Sequence, residues 1–244
     1  MTAIRTLATA GRVLRQLQHD PRSVALVLLA PSLLVGLFAW LLDGQPGAFD
    51  QYGGPILALF PFILMFVVTS VTTLRERRSG TLERLLTTPL GKGDFIVGYA
   101  IAFGAVAVVQ AVLTVGFAVL VCGLEVAGPV WQLGFVAVLN ALLGTGLGLL
   151  ASAFARTEFQ AVQFMPILVF PQVLLGGLLM PRDRMPEVLQ AISDWLPLSY
   201  AINAVNAVTS GDEGWALGGP LIVVGAVTVA ALGIAALTLR RRTP

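Results

Sequence analysis

The sequence predicts an all-α membrane protein with six transmembrane helices, and three observations support this. The first is composition: of 244 residues, 57% are hydrophobic and only 11% are charged. A soluble domain carries about 25% charged residues, so a soluble globular chain is excluded, and so is a disordered one. The second is where those charges lie. Six stretches, 23–42, 51–74, 95–124, 126–155, 159–181 and 214–239, contain no Asp, Glu, Lys or Arg over 20 or more residues, and a helix needs about 20 apolar residues to cross a bilayer. The third is periodicity. These runs are apolar on all sides, whereas the strands of a transmembrane barrel alternate polar and apolar residues over about 10 positions. The expected spans are about 23–42, 53–74, 95–121, 130–154, 162–180 and 216–239, within one transmembrane domain covering residues 1–244.

Residues 3–20 form the first element and are not expected to span. At 100° per residue, Arg5, Arg12, Arg15 and His19 cluster on one side, while Leu7, Ala10, Val13, Leu14 and Leu17 fill the other. Such a helix is expected to lie in the membrane interface. Asp20-Pro21 ends it and turns the chain into span one. The apolar run of that span exceeds a signal-peptide core and lacks a small-residue cleavage site, so it is expected to remain uncleaved. Neither His19, among the arginines, nor the single cysteine, Cys122, is assigned a ligand or redox role. No catalytic or metal-binding set is expected.

Inside the spans, Pro31, Pro55, Pro61, Pro166 and Pro171 free backbone carbonyls that neighbouring helices or a wet cavity must satisfy. Gly144-Thr145-Gly146-Leu147-Gly148 in span four offers a small-xxx-small face for close helix packing. Thr69, Thr73, Gln110, Asn140, Gln163 and Gln172 are the candidate pathway and substrate contacts; the alternative is that each hydrogen-bonds a neighbouring helix.

Charge asymmetry sets the expected orientation. The N-terminal tail, the loop between spans two and three, the loop between spans four and five and the C-terminus hold 13 of the 15 basic residues. That side carries a net +8, and the opposite side a net −6. Basic flanks stay in the cytoplasm, so both termini are expected there. The positive balance thus reflects topology, and no nucleic-acid partner is expected. Arg156 and Glu158, in the short loop between spans four and five, are expected to form a local ion pair or a second contact to a partner protein.

The most informative segment is 75–94. In it Leu82, Leu85 and Leu86 recur at i, i+3 and i+4, Ser79 or Thr81 can cap a short helix, and Pro89 closes it. An apolar stripe on a short, charge-flanked helix suits either lipid or a groove on another protein. On the opposite side, 195–211 is free of charge but too short for a span, and contains Pro197. A re-entrant helix fits it better, because a crossing would carry the C-terminal arginines outside. Residues 187–192 are expected to form a short helix before it.

Two of these segments resemble a known family. Glu76…Gly80-Thr81-Leu82-Glu83…Leu86…Thr88-Pro89 is similar to the coupling-helix signature of type-2 ABC export permeases, the membrane subunits of ATP-driven exporters. Gly176-Gly177-Leu178-Leu179-Met180-Pro181, Met185-Pro186, Leu189 and Trp195-Leu196-Pro197-Leu198-Ser199-Tyr200-Ala201 resemble that family's re-entrant segment. Leu196 stands where the family commonly has Asn, and Asn203 where it has an acid. The order of elements matches over nearly the whole chain.

The resemblance implies a cytoplasmic coupling helix at about 76–88, with Glu76, Arg77, Gly80, Thr81, Leu82, Glu83, Leu86 and Pro89 contacting an ATPase. It implies an extracellular helical hairpin at about 181–211, with Pro181, Pro186, Leu189, Pro197, Tyr200 and Asn203 forming an outer gate. The implied partners are two separate ATPase subunits binding ATP and Mg, a second permease (the same chain or a related one) and the lipid bilayer. The implied location is a bacterial or archaeal plasma membrane, the implied mechanism alternating access. A hydrophobic drug, antibiotic or lipid is the expected substrate, with a glycan as an alternative.

The residues also speak to the energy source. The only lysine, Lys92, precedes Gly93, so the Gly-Lys-Ser/Thr of a phosphate-binding loop is absent and the chain is not expected to hydrolyse ATP itself. The span interiors lack the Asp, Glu or His of an ion relay, which weighs against a secondary carrier. An ATP-independent secondary carrier or channel and a non-transporting membrane anchor or assembly protein are the alternatives.

Overall fold

The structure is a computed structural model that describes residues 3–79 and 91–238. Its helices are α1 (Ala3–Gln18), α2 (Pro21–Leu41), α3 (Ala48–Arg78), α4 (Lys92–Leu120), α5 (Val130–Phe154), α6 (Glu158–Leu175), α7 (Glu187–Ser193), α8 (Pro197–Ser210) and α9 (Trp215–Thr238). A 3-10 turn at Arg182–Arg184 precedes α7, and there is no strand among the described residues. Six helices are long and apolar enough to cross a membrane: α2, α3, α4, α5, α6 and α9. The expected all-α, six-helix membrane class is therefore the observed one.

The boundaries follow local chemistry. The Asp20 carboxylate caps α2, accepting from the Ser23 backbone N–H at 3.2 Å and from its hydroxyl at 2.6 Å. These hydrogen bonds hold the Asp20 carboxyl below its ordinary value. Pro21 occupies the first turn, where a missing N–H costs nothing. Ser79 caps the end of α3, its hydroxyl bonding to the Glu76 carbonyl at 3.1 Å. It thus closes α3 just after Arg78, inside the expected 76–88 segment, whose residues 80–88 lie outside the described residues. Helix α6 begins at Glu158 and ends at Leu175, displaced toward the N-terminus from the expected 162–180, because Thr157 caps it and Gly176-Gly177 follows. Gly211 closes α8 in the left-handed region at φ 78°.

Helices α3 and α5 form the centre. In a bilayer, apolar burial does not drive helix association, so small residues that admit close backbone contact carry much of it. A Cβ on Gly144 would collide with the Phe62 carbonyl oxygen of α3, and one on Gly148 would come within 2.5 Å of that of Phe66. Gly146, on another face of α5, meets Ala231 and Leu232 of α9. One core cluster gathers Ile56–Phe62 of α3 with α5, the buried side of α8 and Val224 of α9. A second joins Ala10, Val13 and Leu17 of α1 to Met65, Phe95, Tyr99 and Phe103. By contrast α2 buries only Val27, Pro31 and Val35, and α6 only Ala161, Val169 and Gln172.

Buried amides stitch these helices together. Pro31 lacks the N–H that would bond to the carbonyl of Val27, four residues earlier. Gln110 of α4 supplies that donor, with Nε2 2.6 Å from the Val27 oxygen. Asn140 of α5 donates to the Ala58 carbonyl in α3. Gln172 of α6 accepts from the Leu198 N–H at 3.1 Å, and Ser193 donates to the Leu175 carbonyl at 2.7 Å, tying α7 and α8 to α6.

Two outcomes follow. Gly148→Leu forces α3 and α5 apart and lowers stability by about 1–3 kcal/mol or more, read as a lower Tm in detergent. Gln110→Leu orphans the Val27 carbonyl at a cost of about 1–2 kcal/mol. Adding Pro31→Ala, which restores a backbone donor, recovers part of that loss in a double-mutant cycle.

Candidate functional site

The charged end of α3 is held by α1. At about 1.5 Å per residue the 31 residues of α3 extend well beyond a hydrocarbon core of about 30 Å. Its last turn, Arg75 to Arg78, thus clears the apolar zone. Arg12 crosses from α1 to grip Glu76 with two prongs, Nη1 to Oε1 at 2.8 Å and Nη2 to Oε2 at 3.3 Å. Glu76 is only 4% exposed, and such burial is tolerable for a carboxylate only when it is paired and hydrogen-bonded. Tyr99 of α4 completes the set. Its hydroxyl donates to Glu76 Oε2 and accepts from Arg12 Nη2 at 3.5 Å.

The geometry of this triad is set by packing. The Tyr99 ring is held between Phe95, 4.4 Å away by ring centroids, and Phe103, at 6.0 Å. The Arg12 guanidinium lies 5.9 Å from the centre of that ring, within cation–π range. Burial works against the Arg12 charge, but the hydrogen bond to Glu76 and the neighbouring Tyr99 and Glu76 outweigh it, so its pKa is raised.

A second clasp lies one turn along. The Thr6 hydroxyl of α1 donates to Asp94 Oδ1 at 3.2 Å, and Asp94 Oδ2 accepts from the Gly91 N–H at 3.0 Å, capping α4. Gly98 lets α1 approach this closely: a Cβ there would meet Thr9 at 2.7 Å and the Thr6 carbonyl at 3.0 Å. Helix α1 therefore grips both chain ends that flank residues 80–90, Glu76 on one side and Asp94 on the other.

Of the residues expected at the coupling helix, Glu76 and Arg77 are described, with Glu76 in the triad and Arg77 half-buried beside it. Gly80, Thr81, Leu82, Glu83, Leu86 and Pro89 lie outside the described residues. Glu158 does not pair with Arg156, as expected from their proximity; it pairs with Arg75 of α3 through two contacts of 3.1 Å. The bidentate fork of Arg75 reaches it across the helix ends, while the Arg156 backbone N–H bonds to Gln160 at 2.8 Å.

At the other end, Pro181 and Pro186 open the 3-10 turn and α7, and Pro197 starts α8. Leu189 lies at the surface. The Tyr200 hydroxyl donates to the Asp194 carbonyl at 2.9 Å, Arg182 pairs with the Asp194 carboxylate, and the Arg182 guanidinium lies 5.8 Å from the Tyr200 ring centre. Asn203 lines a crevice between α8 and α9 with Tyr200, Asn206 and Trp215. Of the candidate pathway residues, Gln110, Asn140 and Gln172 make the interhelical bonds above, with Gln110 Oε1 and Asn140 Oδ1 buried without a partner among the described residues. Thr69 and Thr73 are buried in α3 with their hydroxyls likewise unpartnered, and Gln163 is exposed on α6.

Sequence reasoning missed Arg12, Tyr99, Thr6 and Asp94 as one constellation. Arg12 reads as a member of a solvated basic face. The available signal was Glu76 itself, an acid at a span end that needs a partner once buried, together with a tyrosine early in the next span.

Comparison with known proteins fits this arrangement. Residues 5–209 match the family described as ABC-2 type transporter. The chain is 30% identical over 191 residues to the probable multidrug ABC transporter permease YbhR of Escherichia coli (strain K12), covering 77% of this chain and 51% of that protein. It is 27% identical over 143 residues to the probable multidrug ABC transporter permease YbhS of the same strain, covering 58% and 38%. It is 25% identical over 152 residues to the linearmycin resistance permease protein LnrN of Bacillus subtilis (strain 168), covering 60% and 39%. The chain spans about half the length of YbhR and about two fifths of YbhS and LnrN. With six apolar helices and a family match over most of its length, the chain belongs to the ABC-2 type transporter family of membrane permeases.

Proposed function

We propose that this chain is the membrane-spanning permease of an ATP-driven exporter, moving a hydrophobic or amphipathic compound out of the cytoplasm by alternating access. Two separate ATPase subunits bind ATP and Mg and dock on residues 76–88. A second permease, the same chain or a related one, completes the pathway. Both termini and the 75–94 segment face the cytoplasm, α1 lies in the membrane interface, and the 181–211 hairpin re-enters from the outer side as a gate. The relatives named for multidrug transport and linearmycin resistance support the substrate class.

The observation that carries this proposal is the double clasp. A push on residues 80–90 reaches α3 through Glu76 and α4 through Asp94, and α1 binds both through Arg12 and Thr6. The three helices thus receive the displacement together. A secondary carrier would have no use for such a yoke around a loop outside the apolar zone.

The test is reconstitution of the full chain with its ATPase. Replacing 80–88 by a Gly/Ser linker abolishes ATP-driven transport while leaving membrane insertion intact; normal transport in that variant would sink the proposal. Tyr99→Phe, which removes the hydrogen bonds to Glu76 and from Arg12, each worth about 1 kcal/mol, lowers transport per ATP hydrolysed while the ATPase continues. Arg12→Ala leaves the buried Glu76 carboxylate unpaired and costs about 3 kcal/mol of stability, and the double variant Arg12→Leu/Glu76→Leu loses less than the single one, both read by thermal melting.

A further inference from the structure

Helix α1 has three faces where its sequence suggests two. Thr6, Thr9, Ala10, Val13 and Leu17 are buried, chiefly against α4. Arg5 and Arg15 remain exposed on the basic side. Ile4 and Leu7 form a third, apolar and exposed side that ends in the half-buried Leu14.

Leu14 is also the rim of a cavity. Because α1 packs on α4 and turns sharply into α2 at Asp20-Pro21, a wedge of about 210 Å³ stays open between Leu14, Leu17, Val24, Val27, Phe103 and Val106. Its lining is almost wholly apolar, and the Ser23 hydroxyl at its edge is already spent on Asp20. A buried water needs two to four polar partners, and the wedge offers only the exposed Gln18 at its edge besides Ser23, so its interior suits an apolar occupant. The wedge continues, through the shared residues Leu17, Ser23 and Val68, into a polar mouth of about 340 Å³ bounded by Gln16, Asp20, Thr72 and Arg75. Arg75 holds Glu158 through Nε and Nη2, which leaves Nη1 for a phosphate, while the Asp20 carboxylate at the same mouth suits the ammonium of a zwitterionic headgroup such as phosphatidylethanolamine. On its outer side the wedge reaches Val109, half exposed on the face that α4 turns to the bilayer.

We propose that this wedge binds one acyl chain of a membrane phospholipid, with the phosphate at the mouth beside Arg75. An apolar slot with a charged mouth at a span end matches an amphiphile whose chain and headgroup divide at the same level. The bilayer supplies that amphiphile at the rim, where the free apolar side of α1 already lies. The bound chain props α1 against α4 and so fixes the helix that carries Arg12 and Thr6. The site depends only on membrane insertion and stands apart from the transport proposal.

Native mass spectrometry of the full chain, after exchange into detergent and incubation with phosphatidylethanolamine and phosphatidylglycerol, tests the site. The wild type retains one phospholipid per chain. Val106→Trp and Val24→Trp fill the wedge and weaken retention at least about tenfold, or about 1.4 kcal/mol. Val112→Trp, on the exposed face of α4 outside the wedge, retains the lipid as the wild type does. Helix content by circular dichroism separates loss of the site from loss of the fold. Equal retention in folded Val106→Trp and Val24→Trp, or a wild-type chain that takes up detergent but no phospholipid, overturns the proposal.

Discussion

Inside a hydrocarbon phase an unpaired backbone carbonyl has no water to turn to, and this constraint organises the whole bundle. Pro31 creates such a carbonyl at Val27, and Gln110 answers it from another helix. Asn140 adds a donor to the Ala58 carbonyl from a neighbouring helix, and Gln172 accepts from the Leu198 N–H in the first turn of α8. Each amide is a fixed point between helices. The close seam of α3 and α5, where glycines meet carbonyls of Phe62 and Phe66, depends on these fixed points for its register.

The constraint divides the molecule into a firm part and a lightly held part. Helices α3 and α5 are packed on most sides, while α2 and α6 present long apolar faces with few buried residues. Around the end of α3 the same need for partners produces a charged cluster instead of an amide bond. Glu76 is buried where it would be intolerable alone, so Arg12 and Tyr99 are drawn onto it from two other helices. A helix whose sequence suggests an interfacial raft becomes a strap across both ends of the 80–90 segment. That strap ties α1 to both helices that flank the 80–90 segment.

Much of the fold was legible because hydrocarbon leaves few options. Charge-free runs located all six spanning helices, Asp20-Pro21 located the joint of α1 and α2, and the glycine series located the central seam. The short helix at 187–193 and the helix at 197–210 were legible from Pro186 and Pro197. Less legible were the ends. Helix α6 shifted because Thr157 and Gly176 mark it more strongly than the apolar run does. Glu158 reads as a partner for Arg156 or for another protein, and it pairs with Arg75 across the helix ends. The polar residues inside spans could not be sorted into pathway and packing from the sequence, since an amide that lines a cavity and one that bonds a carbonyl look alike until the neighbouring helix is placed.

The sequence by itself determined the class, the number of spanning helices, the charge asymmetry and the family, because each depends on composition and local order along the chain. Only the tertiary structure decided which side of α1 packs on protein, which carbonyl each amide serves, and that Glu76, Arg12 and Tyr99 meet. Those facts depend on the rotation of each helix about its axis and on contacts between residues distant in the chain, such as Glu76 and Tyr99, 23 positions apart, and Val27 and Gln110, 83 apart. Hydropathy is nearly uniform around the six long apolar helices and carries no record of that rotation; packing of small residues and pairing of polar groups sets it.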